Sequence, residues 1–559
     1  MIPSAPLAAL AAPSLGWVFL LLATAGVLGP LCTARFRSPP RWVWGLLLAA
    51  ALLAFRWPLL WVPHQQNPDE SQLIAGAITL RYDPVFWRSV DGGTAGPLDF
   101  YPLLPAAWGD GIASYPIARL IGLATVLGTI LFAGEALNLL VRLTVARAVV
   151  LPAVAFHALT THPDFTHYST ELMPSLLLAA AGWLIARQVQ SPSSARLWLI
   201  ALLLGAAPWA KPQAMPLAGL LWLLTFAQNF RATPRPSWMP LIAGALLPAL
   251  ACFGLAASTG QIEHLITPLF LNNFYYVRFN AGYFSWAQTT ALQWQNVLLD
   301  GYLGLWLTGA FAFALFALAR AFRAPAAHRR LAALAALLLF AGVICALGPR
   351  RPTPHHLHFL MLPVIWATGA ALALALRDSP VRPAGARPPP STLLIVALFL
   401  LFALAPQFVW RARQPAGPAA FHHLTAAPAQ LQLAALIRRL SAPGEPLAIW
   451  GWRSSLYVES GRPQATRQAH TETQIYPGPL QPYYLRRYIE DFQASNPPVF
   501  IDAVGPGNFA FTDLRRAHES FSPLRAAITA RYTYIATLGG VRLYARNDRL
   551  SLLDRVAAP

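Results

Sequence analysis

The feature that most limits how this chain can fold is a succession of apolar runs, each about 20 residues long, enough for a helix to cross a bilayer. They fall at 15–34, 42–62, 115–140, 238–258, 297–319, 331–348, 357–376 and 391–409. Between 147 and 229 the pattern is denser and divides into four more, at 147–161, 170–189, 197–210 and 213–229, some short enough to dip or tilt. A polytopic α-helical membrane protein with about twelve transmembrane helices is expected. Composition agrees, since 11% of the 559 residues are charged where soluble proteins average about 25%. The net charge of +19 does not predict nucleic-acid binding, because the basic residues stand singly or in pairs between apolar runs. Cys32, Cys252 and Cys345 lie inside apolar segments, with neither a disulfide framework nor zinc spacing. Gly-x-Gly-x-x-Gly, Walker A and HExxH patterns are absent, which argues against nucleotide and zinc-protease chemistry. The N-terminus lacks a basic n-region, so the first span is expected to be retained.

Arginine placement sets the expected orientation. The linkers around Arg35, Arg37 and Arg41, Arg142 and Arg147, Arg187 and Arg196, Arg231 and Arg235, Arg320 to Arg330, and Arg377 to Arg387 alternate along the chain and are read as cytoplasmic. The opposite loops carry nearly all the acids before residue 400, among them Asp69, Glu70, Asp83, Asp91, Asp99, Asp110, Asp164 and Glu263. Residues 1–410 form the expected membrane domain, with a large first outer loop at 63–112. Residues 411–559 change character. "PLAIWGW", "PPVFIDAV" and "RYTYIATLGGVRLYAR" read as strands, the last a hairpin at Gly539-Gly540, and "PYYLRRYIEDFQAS" as an amphipathic helix. A C-terminal α/β domain outside the cytoplasm is expected, on the same side as Asp69.

The first outer loop opens with "NPDESQL", and a carboxylate at the membrane edge can act as a general base on an acceptor hydroxyl. Alternatively the acids cap the following helix, with Asp69 as its N-cap. "HPDFTHYSTELMP" packs Asp164, His167, Tyr168, Ser169 and Glu171 into one turn between spans, which predicts a polar cavity. Lys211 (the one lysine in the chain), Arg278, Arg350 and Arg351, with His355, His356 and His358, break the positive-inside pattern. A lipid-linked phosphate would account for them, because ammonium and guanidinium groups neutralise and hydrogen-bond phosphate oxygens. No carboxylate stands near "HHLH" in the sequence, so a divalent metal is possible but not indicated, and no cofactor is expected.

With Asp69-Glu70 in the first outer loop, the downstream "GPLDFYPLLP" around Asp99, "HYSTELMP" and "WAKPQAMP", the chain resembles the GT-C superfamily of membrane glycosyltransferases over roughly 42–409. This group includes protein O-mannosyltransferases, lipid A aminoarabinose transferases and lipopolysaccharide galacturonosyltransferases. Two departures stand out: an extra leading span at 15–34, and Gly96-Pro97-Leu98-Asp99 where the family carries Lys-Pro-Pro-Leu. The resemblance implies a polyprenyl-phosphate sugar donor and a glycan, glycolipid or protein acceptor at the outer face of a bacterial inner membrane. It also implies inversion, with Asp69 as base beside Glu70. Lys211, Arg278, Arg350, Arg351, His355, Asp99, His167 and Glu171 are the expected donor-phosphate or substrate groups. An envelope polysaccharide polymerase or ligase using arginine and histidine is the alternative enzyme. A transporter is disfavoured, because no internal repeat is visible and polar groups gather at span ends.

Overall fold

The computed structural model describes residues 6–33, 35–109, 111–231, 237–299, 325–376, 390–413 and 427–554, with isolated positions between 306 and 319. Its principal helices, in chain order, begin with α1 (Pro6–Cys32), α2 (Arg41–Leu60), α3 (Pro68–Tyr82), α4 (Ser114–Asn138) and α5 (Leu143–Leu159). Then come α6 (Leu172–Gln190), α7 (Ser194–Ala210), α8 (Met215–Arg231), α9 (Met239–Ser258), α10 (Asn273–Tyr283) and α11 (Trp286–Leu299). The set closes with α12 (Ala326–Leu347), α13 (Met361–Ala375), α14 (Pro390–Arg413), α15 (Pro428–Leu440), α16 (Ser455–Ser460), α17 (Gln481–Ser495) and α18 (Ser522–Arg531). Each expected span except 297–319 coincides with one of these helices; that one lies largely outside the described residues, as do residues 414–426 at the start of the expected C-terminal domain. Eight described helices are long and apolar enough to cross a membrane, and α5 and α7 are shorter apolar ones. The protein is a multi-pass membrane protein.

Two compact units divide the chain. The first comprises residues 1–60, 122–252 and 276–420 and holds most of the membrane helices. Trp17 of α1 packs edge-on to Phe55 of α2 and Phe408 of α14, with ring centroids 5.0 and 4.8 Å apart. Gly16 permits that contact, since a Cβ there would stand 2.7 Å from the Phe55 ring. A Cβ at Gly205 of α7 would likewise meet the Ala245 carbonyl of α9. Small residues let membrane helices approach this closely where no hydrophobic force drives them together. Residues 355–374, which include nearly all of α13, are buried without exception.

The second unit comprises residues 61–121, 253–275 and 421–559, so the loop at 63–112 and the C-terminal region fall in one body. A four-stranded sheet of order β1-β2-β4-β3 supports it, with β1 Leu447–Gly451, β2 Val499–Ala503, β3 Tyr532–Leu538 and β4 Val541–Arg546. The first pair is parallel and the others antiparallel, with the expected turn at Gly539-Gly540. Alternation decides which face each residue covers. Leu447, Ile449, Val499 and Ile501 meet Leu433, Ile437 and Leu440 of α15. Ala448, Trp450 and Phe500 meet Tyr488 and Phe492 of α17 and Leu524 and Ile528 of α18. The loop at 63–112 is fastened to this α/β body by a buried ion pair between Asp91 and Arg487. Two backbone bonds add to it, Asp91 N–H to the Arg467 carbonyl at 2.8 Å and Gln464 N–H to Thr79 Oγ1 at 3.0 Å.

Glu459, at the end of α16, is 2% exposed. Burial raises its carboxyl from 4.5 to about 7, against the opposing Gln430 hydrogen bond and the Arg453 and Arg438 charges. Between these two values the folded chain keeps a proton that the unfolded chain has lost, so folding weakens as pH rises through that window. Thermal unfolding of the full-length protein in detergent should therefore show wild type losing stability from pH 5 to pH 8 relative to Glu459→Gln, by about 3 kcal/mol at most. Parallel pH profiles for the two proteins would contradict a protonated Glu459.

Candidate functional site

In the second unit the two acids of the opening loop are separated in role by the backbone between them. Asn67 is the N-cap of α3, its side chain accepting from the Asp69 N–H, and Pro68 takes the first helical position. The N-cap is thus not Asp69, because asparagine before proline supplies both the acceptor and the fixed φ that a helix start favours. Asp69 stands in the first turn, half-buried, its Oδ1 accepting from Gln72 Nε2 at 2.9 Å. Glu70, one residue on, is fully buried against Arg119 of α4. Arg119 Nε donates to Glu70 Oε1 at 2.7 Å and Nη2 to Oε2 at 3.0 Å. The same guanidinium reaches the carbonyls of Val62 and His64, both at 2.6 Å, and stacks 5.2 Å from the Tyr115 ring. Gln66 N–H completes the set on Glu70 Oε2 at 2.8 Å. Glu70 is therefore a positioning residue that clamps the loop entrance and the first turn of α3. Asp99 is fully buried in a short helix, Pro97–Phe100, of the same unit.

The membrane unit holds a separate polar cluster. The α5 helix ends at Thr160, and His162 caps a short helix, Pro163–Thr166, by accepting from the Asp164 N–H. Arg56 of α2, 3% exposed, fixes this turn by donating to the carbonyls of His157 at 2.6 Å and Phe165 at 2.5 Å. Glu171, at the start of α6, is fully buried and ion-paired with Lys211, whose Nζ also donates to Thr170 Oγ1 at 2.7 Å. His355 and His356 each bring Nε2 to 3.9 Å from Glu171 Oε1, and His355 Nδ1 lies 3.6 Å from Asp164 Oδ1. His167 Nδ1 is held at 2.7 Å by the Pro163 carbonyl, and its Nε2 is buried with no hydrogen-bond partner among the described residues. Burial works to raise the Asp164 carboxyl, but the His355 ring beside it, with His167 and His162, outweighs this and holds it at about 2.

Lys211, Glu171 and His355 are thereby brought together, with His167 beside Asp164. The expectation that the histidines lack a carboxylate is corrected: Asp164 and Glu171 reach them from a segment nearly two hundred residues earlier in the chain. Of the other expected phosphate groups, Arg350 adopts φ +54° and stacks 4.9 Å over Trp286, and Arg351 lies 3.4 Å from Tyr276 Oη. Arg278 is exposed on α10 without a polar partner among the described residues. Arg56 and Arg119 are not among the residues expected from sequence; a lone arginine inside an apolar run is the available signal, since a charge buried in a span needs a dedicated partner.

Ligand atoms of Glu171, His355 and His356 lie within 4.8 Å of one another, a spacing that can hold a metal ion. The Lys211 ammonium already occupies Glu171, so a divalent cation would have to displace it. Asp502, His518 and Glu519 form a second such group. There Arg542 donates to both carboxylates, which marks an ion-pair network bracing β2 and β4.

The chain is similar to ArnT from Cupriavidus metallidurans bound to undecaprenyl phosphate, with 14% identity, a TM-score of 0.56, and coverage of 91% of this chain and 98% of that one. The apo state of the same protein gives a TM-score of 0.53 at the same identity and coverage. No protein-family model matches the sequence, and no curated protein matches it.

Removing one partner of the Glu70–Arg119 pair leaves a buried charge, which costs about 3–5 kcal/mol, whereas replacing both by apolar groups is often neutral. Arg119→Met should lower unfolding stability by that amount, and Glu70→Met/Arg119→Met should regain most of it. Equal losses in the single and double variants would show that the pair is not what clamps the loop.

Proposed function

We propose that this protein transfers a sugar from a polyprenyl-phosphate donor to an acceptor outside the cytoplasm, with inversion at the anomeric carbon and Asp69 as general base. The observation that carries the reading is the contrast within the acidic pair. Glu70 is spent on a dry, bidentate contact with Arg119, while Asp69 stays half-buried, its rotamer set by Gln72. A positioned, partly accessible carboxylate is what proton abstraction from a hydroxyl needs. In the proposed step the acceptor oxygen gives its proton to Asp69 and bonds to the anomeric carbon as the bond from that carbon to the phosphate oxygen breaks. Polyprenyl phosphate leaves with the electron pair.

Phosphate is a good leaving group, so the remaining task is to stabilise its growing charge. Lys211, with His355 and His356 around Glu171, is the set proposed to receive it, and the undecaprenyl phosphate in the similar ArnT structure supports a lipid-phosphate ligand. Arg350 and Arg351 are candidate further contacts, and Arg278 a weaker one. His167, whose buried Nε2 has no hydrogen-bond partner among the described residues, is proposed to meet substrate, as is the buried Asp99 of the loop at 63–112. The proposed location is a bacterial inner membrane, with Asp69 and the α/β body at its outer face.

Loss of a general base costs about 10²–10⁴ in rate. Cells carrying Asp69→Asn, matched to wild type for expression and membrane insertion, should lack one sugar increment in their envelope glycans by mass spectrometry and accumulate unspent donor. Unchanged glycans and donor pools, in a background where gene deletion does remove a glycan, would eliminate Asp69 as base. Arg350 and His355, and with them a polymerase or ligase reaction, would then be the better reading.

A further inference from the structure

The segment that follows α9 carries an apolar stripe that the protein leaves uncovered. α9 ends at Ser258, and Gly260, at φ +70°, turns the chain in the left-handed conformation that glycine adopts freely. The Gln261 N–H closes this turn on the Ala256 carbonyl at 2.6 Å. The chain re-enters helix at Ile262–Ile266, widens into a π turn over Thr267–Asn272 and continues into α10. Ile262, Ile266, Phe270 and Phe274, each four residues after the last, are between 36% and 59% exposed. In a regular α-helix, residues four apart drift round the axis. The π turn, with its longer-range bonds, turns less per residue and brings Phe270 and Phe274 back to the side of Ile262.

The other side of the same segment faces protein. Leu265, Thr267 and Leu269 are buried. His264 Nδ1 is hydrogen-bonded to Tyr483 Oη of α17 at 2.6 Å, and Glu263 lies 3.8 Å from Arg486 of the same helix. The stripe is therefore one-sided, and its continuation identifies what it meets. Phe270 stacks against Phe253 of α9, with ring centroids 6.3 Å apart. Phe253 is itself partly exposed, on an apolar helix of the length that crosses a bilayer. The stripe thus runs on from a lipid-facing surface. Between residues 259 and 274 there is no lysine or arginine, and the single acid, Glu263, is on the α17 side. Aromatic and branched aliphatic side chains on one face, with polar contacts on the other, suit a helix that lies in the plane of a membrane interface.

We infer that Ile262, Ile266, Phe270 and Phe274 form a ridge seated at the headgroup–acyl boundary of the phospholipid bilayer, about 5–10 Å deep. Through His264 and Glu263 on α17, this ridge holds the α/β body against the membrane surface. The assignment does not depend on the sugar-transfer reading.

The test uses the full-length protein in dioleoyl-phosphatidylcholine nanodiscs, with Cys32, Cys252 and Cys345 replaced by alanine. Ile266→Cys and Phe270→Cys each carry a nitroxide, and collision with oxygen and with a neutral nickel chelate is read by electron paramagnetic resonance. Leu250→Cys, on the exposed face of α9, and Arg515→Cys, whose side chain is 90% exposed, give the lipid and water references. The oxygen-to-nickel ratio at both ridge positions should shift from the Arg515→Cys value towards the Leu250→Cys value, to a depth of about 5–10 Å. Ile262→Cys serves if either ridge variant does not fold. Labels as open to the nickel chelate as Arg515→Cys would place the ridge in water and overturn the inference. Labels shielded from both reagents would place it under protein, such as a second copy of the chain, and would overturn it equally.

Discussion

The buried contact between Glu70 and Arg119 is the constraint on which the rest of the second unit's front depends. One guanidinium spans three segments: the loop entrance at Val62 and His64, the first turn of α3 through Glu70, and α4 from which it projects. Once α3 is clamped at its start, Thr79 can accept from the Gln464 backbone, Asp91 can pair with Arg487, and the outer loop becomes part of the α/β body. Of the two adjacent acids, Glu70 is engaged in holding the turn, while Asp69 stands half-buried beside it with Oδ1 accepting from Gln72 Nε2.

The membrane unit solves a different electrostatic problem. Glu171 is buried where an unpaired carboxylate would be intolerable, and Lys211 matches it. His355, His356 and Asp164 extend this into a network with more donors than fixed negative charge, supported beneath by Arg56 on the His157 and Phe165 carbonyls.

Much of this architecture is legible in sequence, for reasons that differ by element. Spans such as 238–258 or 391–409 announce themselves because a bilayer demands a continuous apolar stretch and punishes any exception. The strands at 447–451, 499–503 and 532–546 are short, rich in β-branched and aromatic residues and bounded by turn residues, so local pattern suffices. Lys211, Glu171 and His355 could be named as unusual polar groups near spans, but not paired. Their partners lie far along the chain, as do Arg119 for Glu70, 49 residues away, and Arg487 for Asp91, 396 residues away. No periodicity encodes a contact of that separation. The cap of α3 was misjudged for a local reason, since Asn67-Pro68 competes with Asp69 as a helix start and wins on both hydrogen bonding and backbone geometry.

The central claim is a division of labour, with Asp69 moving a proton and the Lys211–Glu171–histidine set holding lipid-linked phosphate. Affinity for undecaprenyl phosphate, measured on purified wild type, Asp69→Asn and Lys211→Met, tests it most directly. The account predicts that Asp69→Asn binds like wild type while Lys211→Met binds about 10–100-fold more weakly, the loss expected for a charge-assisted contact. Binding that survives Lys211→Met in a folded protein, or that disappears with Asp69→Asn, would contradict it.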